Sequence, residues 1–434
     1  MYNLKTILFI GILFISLNGN AQYSATELSN LPVAVSNNAV SGYINNTQHY
    51  VYSFGGIDSS KLYSGIHNHC YKYSVDSDTW IQIPDLPQSP ARIATGASTV
   101  NNIIYIIGGY HVFSNGNEQS SNLVHRFNAK ADTFLTNGAP IPKAIDDHVQ
   151  TVYKDSLIFV ITGWSQTSNQ PDVQIYNPKL DTWLIGTPVP NTHDYKSFGA
   201  SGTIVGDTIY YFGGASMGSN FPIQNQLRKG YINPNNVLDI TWSLDTIHPD
   251  LSGYRMAASV YNNSIRWVGG SNGTYNYNGI GYAGNTPIVP NRRILTFFPL
   301  TNTWDTLMLP KINMDFRGVA TFGCQMVLVG GMDSNQTVSN RTLQIDCIPN
   351  AIQESNSSSI QIQVWPTPSS GFIHINATTP PSETQIYSTS GAVVLSNKTP
   401  SRSIYVGNLP NGVYFMKLSF STGIIQTKKI IISQ

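Results

Sequence analysis

The chain has 434 residues, enough for more than one domain and a sizeable core. Only 11% of its residues are charged, against about 25% in average soluble proteins, and the formal net charge is +1. So few cations leave no electrostatic footprint for nucleic acid, and three cysteines cannot supply a disulfide framework.

The N-terminus, "MYNLKTILFIGILFISLNGNAQ", sets Lys5 before an apolar run from Ile7 to Leu17, followed by the small residues Gly19 and Ala21. Residues 1–21 read as a secretory signal peptide. The run is shorter than the roughly 20 residues that span a bilayer, and no later stretch reaches that length, so the mature chain is expected without a transmembrane segment.

From residue 22 a unit repeats. Apolar runs end in glycine at "YVYSFGG" (Gly55, Gly56), "NNIIYIIGGY" (Gly108, Gly109), "IFVITG" (Gly163), "IYYFGG" (Gly213, Gly214), "IRWVGG" (Gly269, Gly270) and "MVLVGG" (Gly330, Gly331). Glycine weakens a strand interior, so a recurring pair marks a turn with positive φ and room for a neighbouring unit's aromatic. Phosphate cradling would need a following helix and lysine, which are missing from the pattern.

Each unit reads as four short strands separated by turn signals. Tyr73 and Trp80, Phe127 and Phe134, Tyr176 and Trp183, and Phe297 and Trp304 stand seven apart, behind turns such as "SDTW" and "LDTW"; Trp242 takes the second place in a longer fourth unit. Units of this size with a diglycine and an aromatic pair stack radially. The pattern resembles the kelch repeat family, which implies an all-β chain whose residues 22–349 form a six-bladed kelch-type β-propeller. The sixth unit lacks a Trp-led strand, while "ATELSNLP" (Ala25 to Pro32) aligns on "WIQIPDLP" (Trp80 to Pro87), so the N-terminal segment is expected to close the last blade.

Residues 350–361 read as a Ser/Asn-rich linker. Residues 362–434 carry "VWPTPSSGFIHI", "IYSTSGAVV", "LPNGVYFMKL" and "KKIIISQ", and resemble the C-terminal sorting domain of type IX secretion (type A, Por). That resemblance implies a small immunoglobulin-like β-sandwich, recognition by the type IX machinery, and release to the cell surface or medium of a Bacteroidetes-type bacterium after export to the periplasm.

Cys324 reads as the end of the first strand of blade six and Cys347 as part of its third. An intervening strand would hold them beyond disulfide reach, so free thiols are expected there and at Cys70.

In a propeller the loops around the channel mouth carry function. Arg92, His148, Lys196, Arg255 and Arg317 each stand near the start of an inner strand, with Asn38 in the first blade, while post-glycine loops bring Tyr110, His111, Trp164, Tyr275 and Tyr277 toward the same mouth. Converging cations flanked by aromatics would form an electropositive funnel for an anionic sugar; the alternative is that these side chains bond backbone carbonyls or pair with Asp147, Asp194 or Asp315. His67, His69 and Cys70 lack the spacing of a zinc site, so neither metal nor cofactor is expected. The start "LPVAVSNNAVSGY" and the six-blade order are similar to kelch-class sialic-acid mutarotases, in which a Glu after the fourth glycine motif is the expected acid/base; here Ala215 stands there. The expected function is a secreted binding module for carbohydrate or protein ligands, with a mutarotase or epimerase as the alternative and a structural surface protein as the third reading.

Overall fold

The computed structural model describes residues 22–87, 89–245, 251–348, 362–377, 379–389, 391–420 and 425–434. The expected signal peptide and linker lie outside them. The chain divides into two compact units, ending at Asn350 and beginning at Ala351.

The first unit holds six antiparallel blade sheets, five of four strands and one of five, besides a two-stranded pair in the post-glycine loop of blade three. Blade one runs through Ala39–Asn45, Gln48–Ile57, Ile66–Ser74 and Thr79–Ile83. The other innermost strands are Ile93–Val100, Val149–Tyr153, Ser201–Val205, Ala257–Tyr261 and Ala320–Phe322. Small residues let these strands crowd together, and the first lies against the last. The core lies between sheets, as where Phe54 of blade one packs with Ile104, Ile106 and Phe127 of blade two.

The glycine pairs turn with positive φ, and Gly213 shows why side chains are excluded: a Cβ there would collide with the backbone carbonyl of Gly253 in the next blade. Gly214 N donates to that carbonyl at 2.7 Å, and Gly109 N reaches Ile145 O at 2.9 Å in the same way. At Gly213 the space is therefore reserved for a neighbouring carbonyl rather than an aromatic, whereas at Gly269 the Phe316 ring of the next blade shares it with the Asn313 carbonyl. Thr162 replaces the first glycine of unit three at φ 48°. Its hydroxyl accepts from Ser197 N at 2.8 Å and lies 3.0 Å from Ser197 O, so a side chain adds to the backbone link to the next blade, Gly163 N to Ser197 O at 2.8 Å.

The aromatics seven apart are directly opposed across the hairpin of third and outer strands. Trp80, Trp183 and Trp242 each donate Nε1 to a carbonyl leading out of the preceding blade, at Ser29, Ala139 and Thr187, over 2.8–3.0 Å. The turn aspartates assist: Asp78 and Asp181 accept from Ser29 N and Ala139 N at 2.8 and 2.6 Å. In blade four Trp242 lies opposite Gly230, whose missing side chain makes room for the indole.

Blade six takes its outer strand from the chain start. Gln22–Leu28 pairs antiparallel with Thr342–Ile348, from Gln22 opposite Ile348 to Leu28 opposite Thr342.

The cysteine expectation fails here. Cys324 lies in the turn after the inner strand and leads into the second strand, Gln325–Val329, which pairs directly with Thr342–Ile348. No strand intervenes, the Cα atoms are 5.8 Å apart, and Cys324 and Cys347 form a disulfide; Cys70 is buried and makes none. Closing a loop across a separation of 23 residues is worth about 3 kcal/mol. Cys324→Ser with Cys347→Ser should lower stability by that order, and non-reduced peptide mapping should recover the two peptides joined. Three reactive thiols in the denatured wild-type chain would contradict the pairing.

The second unit has a three-stranded sheet, Gln363–Trp365, Phe372–Asn376 and Ser403–Tyr405, and a four-stranded one built on Glu383–Ser388 and Gly412–Ser419. Strict alternation points Ile373, Ile375, Ile386, Met416, Leu418, Ile430 and Ile432 into one shared core, as in a β-sandwich.

Candidate functional site

One residue at or shortly before the start of each inner strand has positive φ: Asn37, Ala94, Asp147, Gly199, Arg255 and Asp315. They are linked around the channel by backbone bonds, Asp147 N to Ala94 O, Gly199 N to Asp147 O and Arg255 N to Gly199 O, at 2.8–3.2 Å. Asn, Asp and Gly visit this region readily, and Arg does not. Arg255 is held there by what its side chain meets.

Arg255 Nη2 lies 2.8 Å from Asp147 Oδ2 and Nη1 lies 3.2 Å from Asp315 Oδ1, all essentially inaccessible to solvent. Arg317 pairs with the other Asp147 oxygen, approaches Asp315, and donates Nε to Asn37 at 2.8 Å. Ser36 donates to Asp315 at 2.6 Å. The Arg255 guanidinium sits 4.9 and 5.2 Å from the ring centres of Tyr254 and Tyr275. Burial alone would raise the Asp147 carboxyl, but Arg255 and Arg317 outweigh it and hold it below the ordinary value. Two cations balance two carboxylates.

The expected electropositive funnel is therefore corrected. Arg255 and Arg317 are neutralised, and buried Arg92, lowered to about 10 by desolvation, ties Gly108 O and Ser121 Oγ within its own blade at 2.7 and 2.8 Å. In the sequence, positive charge aligns the units. The positive-φ register instead leaves Arg92 and Lys196 ahead of the ring position, puts His148 and Arg317 after it, and sets Arg255 alone among the five on the ring.

Two cavities flank this lattice, and Asp147 and Arg255 line both. One, of about 120 Å³, lies among the inner strands with His148, Gln150 and Arg317. The other, of about 100 Å³, lies among the post-glycine loops and is lined by Tyr110 and Trp164, while His111, Tyr275 and Tyr277 do not line it. Trp164 meets Phe198 and Phe221 edge-on at 5.4 and 5.5 Å, and Phe221 meets Tyr282 at 4.7 Å. Lys196 lines neither cavity.

Two carboxyl groups in the aromatic cavity, Asp146 and Glu118, went unread in the sequence. Glu118 comes from an extra strand, Glu118–Ser120, paired with Tyr110–Val112 at the end of the blade-two second strand. Asp146 accepts from Ser120 Oγ at 2.5 Å. Burial, then the charge of Asp147, pushes the Asp146 carboxyl well above its ordinary value; Glu118, exposed on its added strand, is raised by partial desolvation. The signal for Asp146 was the doublet Asp146-Asp147 in a chain with only 23 acidic residues.

Buried His148 donates to or accepts from Gln150 at 3.1 Å and is lowered to about 4 by desolvation; His67 and His125 are lowered to about 4 for the same reason. Because these folded values lie below the unfolded one of about 6.5, the unfolded chain binds more protons between those values, and stability falls as pH drops through that window, by up to about 1.4 kcal/mol per pH unit for each histidine. Asp146, raised on folding, works in the opposite direction above its unfolded value. His148→Gln should flatten the melting temperature against pH between 6.5 and 4.5 by one proton's worth. Parallel curves for the variant and the parent would contradict the buried neutral imidazole.

Among the described residues no group of three or more His, Cys, Asp or Glu converges as metal ligands, and no helix is long and apolar enough to cross a membrane. Residues 22–214 match the KLHDC2/KLHL20/DRC7 kelch-repeats domain, and residues 363–433 match the secretion system C-terminal sorting domain. Kelch-like protein 36 of Bos taurus is 21% identical over 69% of this chain and 45% of its own length. Kelch repeat and BTB domain-containing protein 12 of Homo sapiens is 29% identical over 32% of this chain and 24% of its own. The chain thus spans less than half the length of these curated relatives. The solved structure of YjhT superposes with a TM-score of 0.59 at 16% identity, over 74% of this chain and 98% of that one, a likeness of fold. The sorting domain implies engagement of the type IX machinery and export to the cell surface or beyond. With six sheets in a ring, diglycine turns and opposed aromatics before it, the first unit has the kelch-type β-propeller fold, its residues 22–214 matching the kelch-repeats domain, and the second matches the type IX C-terminal sorting domain.

Proposed function

We propose that the propeller binds one ring of an uncharged carbohydrate in the aromatic cavity. The observation that carries this reading is the pairing of aromatic walls with two unneutralised carboxyl groups, Glu118 and Asp146, above an ion-pair lattice that has no spare cation. Aromatic faces suit the apolar side of a sugar ring, and carboxyl oxygens suit its hydroxyls. At about 10–15 Å³ per water, the cavity holds roughly seven to ten waters, the scale of one monosaccharide. A glycan array probed with the full chain should show uncharged sugars bound and acidic ones ignored. Trp164→Ala should weaken calorimetric affinity at least about tenfold with the fold retained. Selective capture of sialylated glycans would refute the reading.

A second reading, a sugar mutarotase, is favoured by the Asp146 carboxyl alone. Pushed upward, it keeps a proton to place on the ring oxygen while Glu118 accepts one from the anomeric hydroxyl. Accelerated exchange between anomers of a bound sugar, followed by NMR and lost in Asp146→Asn, would support it; binding at an unchanged exchange rate would exclude it.

A further inference from the structure

We infer that the outward face of the three-stranded sheet in the second unit is a stacking platform for a linear uncharged polysaccharide, a site separate from the propeller cavity. The sheet consists of Gln363–Trp365, Phe372–Asn376 and Ser403–Tyr405, with Phe372–Asn376 in the middle. Strand alternation sends Ile373, Ile375 and Ile404 into the core, so their neighbours face out. Those neighbours are rich in rings. Trp365 stands opposite His374, with ring centres 5.9 Å apart, and Phe372 stands opposite Tyr405 at 5.0 Å. Trp365, Phe372 and Tyr405 are 47%, 53% and 49% exposed, and of the chain's seven tryptophans only Trp365 is exposed. Single exposed apolar side chains are ordinary, but large rings gathered on one small face mark a binding surface.

Gln363, Asn376 and Ser403 complete the outward side with amide and hydroxyl groups, and the three strands contain no Lys, Arg, Asp or Glu. Without cations the face offers nothing to an anionic lipid surface or an acidic glycan. Aromatic faces suit the apolar side of a sugar ring, and amides suit its hydroxyls. The rings are held in place before a ligand arrives. Each packs on its cross-strand partner, and Gly407 leaves room for Tyr405, whose Cζ would lie 2.6 Å from a Cβ there. Such preorganisation lowers the entropic cost of binding. The two ring pairs lie two residues apart along the middle strand, about 7 Å, so a free sugar covers one pair and a chain covers both. Size decides against a protein partner. Three strands about 4.8 Å apart and up to 5 residues long give a face of roughly 250 Å², against about 800 Å² on each side of a stable protein interface.

The test is affinity electrophoresis of the full chain through native gels that contain dextran, xylan, glucomannan or hydroxyethyl cellulose, with a plain gel as reference. At least one polymer should retard the parent. Trp365→Ala combined with Phe372→Ala should weaken that affinity at least about tenfold, and its melt should stay within a degree or two of the parent because both side chains are exposed. Tyr405→Ala should show a smaller loss in the same direction. Trp164→Ala, in the propeller cavity, should be retarded as the parent is, so that the two sites are read separately. Retardation that survives the double variant would overturn the platform, as would a parent that no polymer retards. Loss of retardation in Trp164→Ala would move the polymer to the propeller cavity and overturn it as well. A parent that sediments as a dimer and becomes a monomer in the double variant would give the face to a second copy of the chain, again against the proposal.

Discussion

Asp147→Ala is expected to destabilise the propeller by about 3–5 kcal/mol, because removing one partner of a buried ion pair strands its counter-charge away from water. Asp147 faces both Arg255 and Arg317, and the remaining carboxylate, Asp315, lies 3.2 and 3.9 Å from them. One acid would then have to balance two buried guanidinium groups. Asp147→Asn should lose nearly as much, since it keeps the shape and removes the charge. Replacing Asp147 and Arg255 together by apolar residues should cost less than the sum of the single changes. Single variants that melt within a degree or two of the parent would mean that water or counterions reach the lattice.

Removal of residues 22–28 is expected to have an effect of similar size by a different route. Seven register pairs join this strand to Thr342–Ile348, and Tyr23 and Leu28 pack against cores on the two sides of blade six. Without it the ring loses its closure, a strand edge is exposed, and aggregation follows. The truncated chain should melt at least about 10 °C lower, given a loss of several kcal/mol. A circular permutant that carries the same segment after residue 348 should recover the stability. A truncated chain with an unchanged melt would show that blade six stands without the strand.

The scaffold was more legible than the site because its signals are periodic. The glycine pairs sit where a neighbouring carbonyl or side chain leaves no room for a Cβ, and each aromatic seven residues on answers to its cross-strand partner. Even the degenerate copy at Thr162 could be placed by spacing. The inner ring was misread because its register is marked by backbone conformation: Asn37, Ala94, Asp147, Gly199, Arg255 and Asp315 share a φ sign and no chemistry. Charge alone puts Arg92, Lys196 and Arg317 in one register, while the competing expectation, pairing with Asp147 and Asp315, is the one the structure shows for Arg255 and Arg317. The disulfide was missed for a smaller reason, a two-residue turn at Gly323 and Cys324 that moves Cys324 beside the third strand. Glu118 was beyond reach, since it sits on an added strand outside the repeat.

The most direct test sets Glu118→Gln beside Lys196→Ala in calorimetric titrations with the sugar that binds the parent chain. If the aromatic cavity above the neutralised lattice is the site, Glu118→Gln should lose at least about tenfold in affinity while its melt stays close to the parent, and Lys196→Ala should bind as the parent does. Loss of affinity in Lys196→Ala with Glu118→Gln unaffected would return the site to a cationic channel mouth and contradict the assignment made here.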